Sequence, residues 1–218
     1  MDLSNYRKNY ESTKYLIEKN IPKIPIDLFH SWFQEEKQMS SNDKEVNAMS
    51  ISTIGKDGAP ETRIVLLKQY SEQGFIFYTN YLSAKGLAIR NNPMTCISFY
   101  FTNTDRQILI KGKTFKLNIK QSDRYFNERP REHQIGSWAS KQSKIISSKE
   151  YLLDKYKKWK MFFKTCRIIK RPFDWGGYIV KPYKMEFWQG QPYRLHDRLV
   201  YYLELETDKK WNLFRLSP

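Results

Sequence analysis

Cysteine is scarce in this chain. Two residues, Cys96 and Cys166, are too few and too far apart for a disulfide framework or a zinc site. Cys96 lies in the apolar run MTCISFYF and reads as a buried, inert thiol. Histidine is nearly as rare. His30, His133 and His196 are the only three, and no two have metal-ligand spacing, so no metal is expected. There is no Gly-rich phosphate loop and no serine in a nucleophile elbow, which argues against a Rossmann dehydrogenase and against a hydrolase. Long apolar runs are missing as well. The longest aliphatic stretch, Ile64–Leu67, is far too short to span a bilayer. The opening MDLSNYRKNYES has no apolar centre, so no secretory signal is visible. These absences lead us to expect a soluble, cytoplasmic protein of a reducing compartment.

Acidic residues are also in deficit. Lys and Arg number 38 against 23 Asp and Glu, a net charge of +15. The excess concentrates between Lys141 and Arg171, where only Glu150 and Asp154 are acidic. Such a balance points to an acidic partner: nucleic acid, anionic lipid or a phosphorylated small molecule. Apolar residues make up 40% and aromatics 16%, enough for a packed core.

Residues 1–24 are polar and without a sustained period, and read as an arm that is mobile or folds over a site. The remainder, 25–218, reads as a single domain. Leu28, Phe29, Trp32 and Phe33 have helical spacing within Ile26–Gln38, and Met39–Lys44 is a loop. Ala48–Ile54, Thr62–Lys68, Phe75–Asn80, Met94–Phe101 and Arg106–Lys111 read as strands. A hairpin turn lies at Lys56-Asp57-Gly58, a second turn at Tyr70–Gly74, and a short helix at Ser83–Asn91. The aliphatic centre of TRIVLLK predicts a strand covered on both faces. Strands at this close, regular spacing over 48–117 are the mark of an antiparallel barrel or sandwich.

Asn118 with Gln121 opens a helix to Arg129, on which Tyr125 and Arg129 share a face. Ser147 with Glu150 opens another, to about Lys164, with the apolar stripe Leu152, Tyr156, Trp159 and Phe163. Its lysines read as a solvated face, and no nucleic-acid motif accompanies them. Gly176–Val180, Met185–Trp188, Leu199–Glu206 and Trp211–Leu216 return to strands. Between Glu186 and Arg198, the turn Gln189-Gly190-Gln191-Pro192 separates two strands. Beyond it Arg194, His196 and Arg198 alternate, which predicts three cation-capable groups on one strand face. Such a face suits an anion or a polar aromatic ligand; a solvated edge strand is the alternative.

RIVLLK (63–68), FYTN (77–80), RQ (106–107), YFNERPREHQIGSWASKQS (125–143) and FWQGQPYRLHDR (187–198) together resemble the pyridoxamine/pyridoxine 5′-phosphate oxidase family, in the family's order and spacing. The resemblance runs from the arm to the closing RLSP. It implies a mainly β, α+β fold, the antiparallel FMN-binding split β-barrel, assembled as a homodimer with flavin at the subunit interface. It also implies FMN-dependent oxidation of pyridoxamine and pyridoxine 5′-phosphate to pyridoxal 5′-phosphate, with O2 reduced to H2O2. FMN contacts would fall on Arg63, Ile64, Val65, Leu66, Leu67, Lys68, Tyr78, Thr79, Lys85, Gln107, Gln142, Ser143, Trp188 and Arg198. Substrate contacts would fall on Lys68, Tyr125, Arg129, His133, Arg194 and His196, with Arg7 and Tyr10 of the arm closing over them. Arg194 and His196 would serve catalysis. The chemistry agrees: a phosphate dianion wants Arg and Lys with a hydroxyl donor, and a cation at Arg198 would stabilise the negative charge of reduced flavin. Three positions depart from the family's pattern. Ala84 stands where an arginine is common, His133 where a phosphate-binding serine is usual, and Glu45 where some relatives have Asp. Two other readings are a non-catalytic flavin- or pyridoxal-phosphate-binding barrel, against which Tyr125, Arg129, Arg194 and His196 argue, and a basic nucleic-acid-binding barrel. Neither a nucleic-acid nor a membrane partner is expected.

Overall fold

The computed structural model describes residues 1–12, 14–41, 44–204 and 210–218. Its strands are β1 (Ala48–Ile54), β2 (Pro60–Leu66), β3 (Gln69–Ser71), β4 (Gly74–Asn80), β5 (Met94–Phe101), β6 (Arg106–Lys116), β7 (Trp175–Gln189), β8 (Asp197–Leu203) and β9 (Trp211–Leu216). Its α-helices are α1 (Pro25–Met39), α2 (Ala84–Asn91), α3 (Ile119–Glu128), α4 (Arg131–Ala139) and α5 (Lys149–Phe162). The strands follow the hydrogen-bonded order β2-β1-β5-β6-β7-β4-β3, with β8 joined to β7 and β9 to β8. The β3–β4, β4–β7, β7–β8 and β8–β9 pairs are antiparallel. The chain divides into two compact units. The first comprises Met1–Ile51, Cys96–Gly112 and Pro182–Pro218, the second Ser52–Thr95 and Lys113–Lys181. Strands β1, β5, β6 and β7 have residues in both.

In the first unit, α1 starts on Pro25, whose missing N–H costs nothing at a helix N-terminus. It buries the face Leu28, Phe29, Trp32 and Glu36. Trp32 meets Phe187 edge-on at 5.3 Å, and Phe29 meets Phe99 in the same way. The buried Glu36 carboxylate accepts bonds from the backbone and side chains of Asn103 and Thr104, so its burial is compensated. Strand β7 pairs with β8 from Lys184↔Tyr202 to Gln189↔Asp197, and β8 pairs with β9.

In the second unit, β4 pairs with β7 from Phe75↔Val180 to Asn80↔Trp175. Beside this pair, Phe126 of α3, Ile135 of α4, and Phe163, Ile169 and Trp175 form a buried cluster. The expected α5 stripe joins it through Tyr156 and Trp159, with Trp159 stacked on Phe163. Asn118 caps α3 by accepting from Gln121 N at 2.8 Å.

Several expectations are corrected. Arg194 and His196 are not on a strand. Pro192–Arg194 is a 3-10 turn, with Tyr193 (φ 57°) and Arg194 (φ 64°) in the left-handed region, and β8 begins only at Asp197. Pro192 cannot donate to a ladder, and two consecutive positive φ angles break the period of two. The three groups therefore do not alternate along one strand. The cap of α5 is Ser148, accepting from Tyr151 N, and not Ser147. The centre of β2 is not covered on both faces: Ile64 is 64% exposed, so nothing among the described residues packs over its side of this strand at the end of the sheet. Cys96 is half-buried, though burial still pushes its thiol pKa up. The two strands expected between Gly176 and Trp188 are one, β7. The short β3 lies where only a turn was expected, and α4 was not foreseen. Leu205 and Glu206, the end of an expected strand, lie outside the described residues.

Candidate active site

The second unit brings together two sets of cationic groups. The first set sits around Lys85. Strand alternation on β4 sends Tyr78 and Thr79 in opposite directions. On the Thr79 side, α2 begins at the Ser83 cap, which accepts from Gly86 N, and this places Lys85 in the first turn. Lys85 is 6% exposed and donates to Thr79 Oγ1 at 3.3 Å. Thr79 Oγ1 in turn donates to Gln142 Oε1 at 3.3 Å. Burial, and then the nearby Arg63, lower the Lys85 pKa to about 8. Arg63 on β2 donates to Thr53 Oγ1 at 2.6 Å and pairs with Glu61 at 2.6 Å. No carboxylate lies within ion-pair distance of Lys85 among the described residues. A buried ammonium held only by a hydroxyl is costly unless an anion joins it. This donor set fits a phosphate dianion. Gln142 and Ser143 lie in the loop after α4, where Ser143 takes a positive φ of 66°.

The second set sits on the Tyr78 side. Tyr78 and Tyr125 of α3 stack with ring centres 3.8 Å apart, and both lie nearly parallel to Trp175, at 12° and 4°. Gly177 makes this packing possible, since a Cβ there would come within 2.8 Å of the Tyr78 ring. Arg129, the residue that ends α3, places its guanidinium 4.5 Å from the Trp175 ring centre and donates to Ser137 Oγ at 2.7 Å. Burial raises the Tyr125 pKa, lowers that of Arg129, and with the adjacent Tyr125 pushes Tyr78 up to about 12. His133 is exposed on α4. Lys68 follows β2, its N–H donating to Ile76 O at 2.8 Å, with an exposed side chain.

The first unit holds the remaining candidates. The loop after β7 closes when Gln191 N donates to His196 Nδ1 at 3.1 Å. That bond makes Nδ1 the acceptor, so the neutral imidazole carries its proton on Nε2. Burial first, and then Arg194, lower the His196 pKa. The His196 ring lies 4.7 Å from Trp188 and 5.4 Å from Tyr10, and Tyr10 meets Trp188 edge-on at 5.5 Å. Tyr10 reaches this place because residue 190 is glycine: a Cβ there would stand 2.6 Å from the Tyr10 ring. Arg194 is exposed beside them. Arg198 of β8 faces Trp188 in the register and donates twice to Glu186 Oε1, at 3.0 and 2.7 Å, and once to Ser217 O at 2.9 Å. Gln107 is a half-buried residue of β6, and Arg7 is exposed in the arm.

Sequence reasoning missed Ser137, Trp175 and Glu186. Ser137 gave no signal in the sequence, because α3 ends at Arg129 and Ser137 belongs to the next helix, α4, across the break at Pro130. For Trp175 the signal was an aromatic residue ahead of Gly176-Gly177. Glu186 is buried, which no sequence rule announces for a glutamate, and the β7–β8 register (Glu186↔Val200, Trp188↔Arg198) sets it diagonally from Arg198.

The comparisons with known proteins agree with this chemistry. Residues 36–163 match the family described as pyridoxamine 5′-phosphate oxidase, and residues 175–218 match the pyridoxine 5′-phosphate oxidase C-terminal dimerisation region. The chain is 50% identical over 219 residues to the pyridoxine/pyridoxamine 5′-phosphate oxidase of Flavobacterium psychrophilum, covering 100% of this chain and 99% of that one. It is 39% identical to the chloroplastic pyridoxine/pyridoxamine 5′-phosphate oxidase 1 of Arabidopsis thaliana, over 100% of this chain and 41% of that longer protein. Among solved structures it resembles PhzG of Burkholderia lata, crystallised with tetrahydrophenazine-1-carboxylic acid, with a TM-score of 0.84 and 26% identity over 95% of this chain and 100% of that one. An FMN-binding protein of Nostoc punctiforme shares the fold, with a TM-score of 0.69 at 14% identity. With a family match across residues 36–163 and half-identical relatives end to end, the chain belongs to the pyridoxamine 5′-phosphate oxidase family, whose fold is the split barrel.

Proposed function

We propose that this protein oxidises pyridoxamine 5′-phosphate and pyridoxine 5′-phosphate to pyridoxal 5′-phosphate. The strongest support is end-to-end identity of 50% with a protein bearing that activity as its name. The site chemistry adds to it. Two cationic sets, one at Lys85 and one at Arg129, match the need to hold two phosphates, that of a mononucleotide and that of the substrate.

In this reading FMN is the cofactor, and its phosphate takes Lys85, Arg63, Gln142 and Ser143. Bound FMN would supply the acceptor for two electrons and the C4′ hydrogen of the substrate, and would pass the electrons to O2, which leaves as H2O2. The protein's own groups bind and orient. Arg129, Tyr125 and Lys68 hold the substrate phosphate, Arg129 offering the N–H groups that Ser137 does not take. His196, with its Nε2–H free, donates to the substrate, and Arg194 places a cation beside it. Tyr10 and Trp188 flank the imidazole and hold its orientation. Arg198, fixed by Glu186 and Ser217, keeps its guanidinium in one orientation for the flavin ring. The amine substrate gives ammonia by imine hydrolysis, and the alcohol gives the aldehyde directly. The working assembly is a homodimer.

The test is turnover. Purified protein supplied with FMN and pyridoxamine 5′-phosphate in air should form pyridoxal 5′-phosphate and consume one O2 for each aldehyde. FMN uptake with no aldehyde formed would favour a non-catalytic flavin binder.

A further inference from the structure

Arg129 is half-buried and has no carboxylate partner among the described residues, yet its guanidinium has a fixed place. Two near neighbours hold it, with the Phe126 ring farther off at 5.6 Å. Trp175 lies under its face, 4.5 Å from ring centre to guanidinium carbon. Ser137 Oγ accepts from Nη1 at 2.7 Å. The serine is itself oriented, because its hydroxyl donates to His133 O one helical turn back, at 3.0 Å. With its proton committed to that carbonyl, Ser137 presents a lone pair to Arg129. The indole is equally fixed. Trp175 is 7% exposed and is held edge-on by Phe126 at 5.2 Å. Tyr78 and Tyr125, which stack on each other, lie nearly parallel to the indole, at 12° and 4°. One buried ring therefore sets the face of the guanidinium and the plane of the Tyr125 phenol together.

From this geometry we infer that Trp175 and Ser137 are positioning residues for phosphate recognition: they aim Arg129, and Trp175 with Tyr78 aims Tyr125, before any anion arrives. The inference rests on the proposed assignment of Arg129 and Tyr125 to the substrate phosphate. An arginine fixed in advance loses little freedom on binding, so its hydrogen bonds count nearly in full. A stacked site of this kind should not accept lysine in place of arginine, because an ammonium has no plane to lay on the indole.

The test uses FMN-loaded protein and reads kcat, KM for pyridoxamine 5′-phosphate, the inhibition constant of inorganic phosphate and FMN content. Trp175→Leu and Ser137→Ala should each raise KM and the phosphate inhibition constant together by about tenfold, the scale of a lost desolvated cation–π contact or charge-assisted bond. The kcat at saturation and the FMN content should stay within about twofold. Trp175→Phe and Ser137→Thr should recover most of the loss. In an Arg129→Ala background, Ser137→Ala should add almost nothing, since its target is gone. Loss of kcat and FMN in step with KM, or full additivity with Arg129→Ala, would overturn the inference, and Ser137→Ala decides it alone if Trp175→Leu does not fold. Failure of the parent reading looks different: wild-type protein would not turn over, or Arg129→Ala would leave KM unchanged.

Discussion

Lys85 carries an ammonium that no carboxylate among the described residues neutralises, and its titration is the most direct residue-level consequence of the site. Burial and Arg63 bring its pKa down to about 8. A phosphate dianion beside it would favour the charged form and raise that value again. Between pH 8 and the raised value, FMN binding must therefore take up a proton, and the Kd for FMN should weaken about tenfold for each pH unit above 8. Without FMN the sign is fixed by the same shift. A depressed folded-state pKa contributes stability above 10.5 that is lost as pH falls from 10.5 through 8, so the empty protein should be relatively more stable at alkaline pH on account of this residue. Flavin fluorescence titrations at pH 7.5, 8.5 and 9.5 check the first outcome. Lys85→Met should bind FMN weakly at every pH and show no such slope; an unchanged slope in that variant would move the titration to another group.

The loop from Gly190 to His196 and the N-terminal arm form the element that the sequence described least well. Several buried or half-buried contacts hold the arm to β8 and its surroundings within the first unit. Asp197 Oδ2 accepts from Leu16 N at 3.1 Å and from Gln191 Nε2 at 2.8 Å, and Asp197 Oδ1 pairs with Arg215 at 2.6 Å. Gln191 Nε2 also donates to Lys14 O at 2.7 Å, and Tyr201 OH donates to Pro22 O at 2.7 Å. Asp197→Ala would leave several donors unpaired, at a cost of about 1–3 kcal/mol for each buried one. It should lower Tm and speed proteolytic cleavage within residues 1–24. Gly190→Ala should act locally, since the clashing atoms belong to the Tyr10 side chain, which can swing away. We expect faster arm cleavage in Gly190→Ala with Tm nearly unchanged. A large drop in Tm would show that the loop itself, and not the arm, depends on this glycine.

Why the sequence read well in some elements and poorly here has physical causes. Strands with clean alternation, such as β1 and β5, and helices with a cap and an apolar stripe, such as α3, declare themselves through local chemistry. Arg194, His196 and Arg198 also alternate, yet the backbone between Pro192 and Arg194 turns through left-handed φ angles that no spacing rule reports. Helix α4 buries only Gln134 and Ile135 within its nine residues, too little to show a stripe. Strand β7 runs on through Pro182, a residue that falls between its pairing with β4 and its pairing with β8, so that the missing N–H interrupts neither of those two registers. The phosphate-seeking residues were legible through their resemblance to a family. The residues that aim them, Ser137, Trp175 and Glu186, were not, because their role depends on contacts between elements distant in sequence.

At the scale of the whole molecule, the match of residues 175–218 to a dimerisation region and the exposed aliphatic Ile64 at the β2 edge lead to the expectation of a homodimer. Sedimentation should give a mass of twice 26.3 kDa, and a charged replacement, Ile64→Asp, should weaken the dimer if that edge lies in the interface. A tightly FMN-loaded monomer would contradict the assembly. No helix among the described residues is long and apolar enough to cross a membrane. The central claim is that electrons pass from a phosphorylated pyridoxamine to a flavin held by this chain, and anaerobic mixing tests it most directly. Protein loaded with about one FMN per chain, mixed with excess pyridoxamine 5′-phosphate without oxygen, should bleach its flavin absorbance in one phase and form one pyridoxal 5′-phosphate per flavin. Admitting air should restore the yellow colour. A flavin that stays oxidised under saturating substrate would contradict the account.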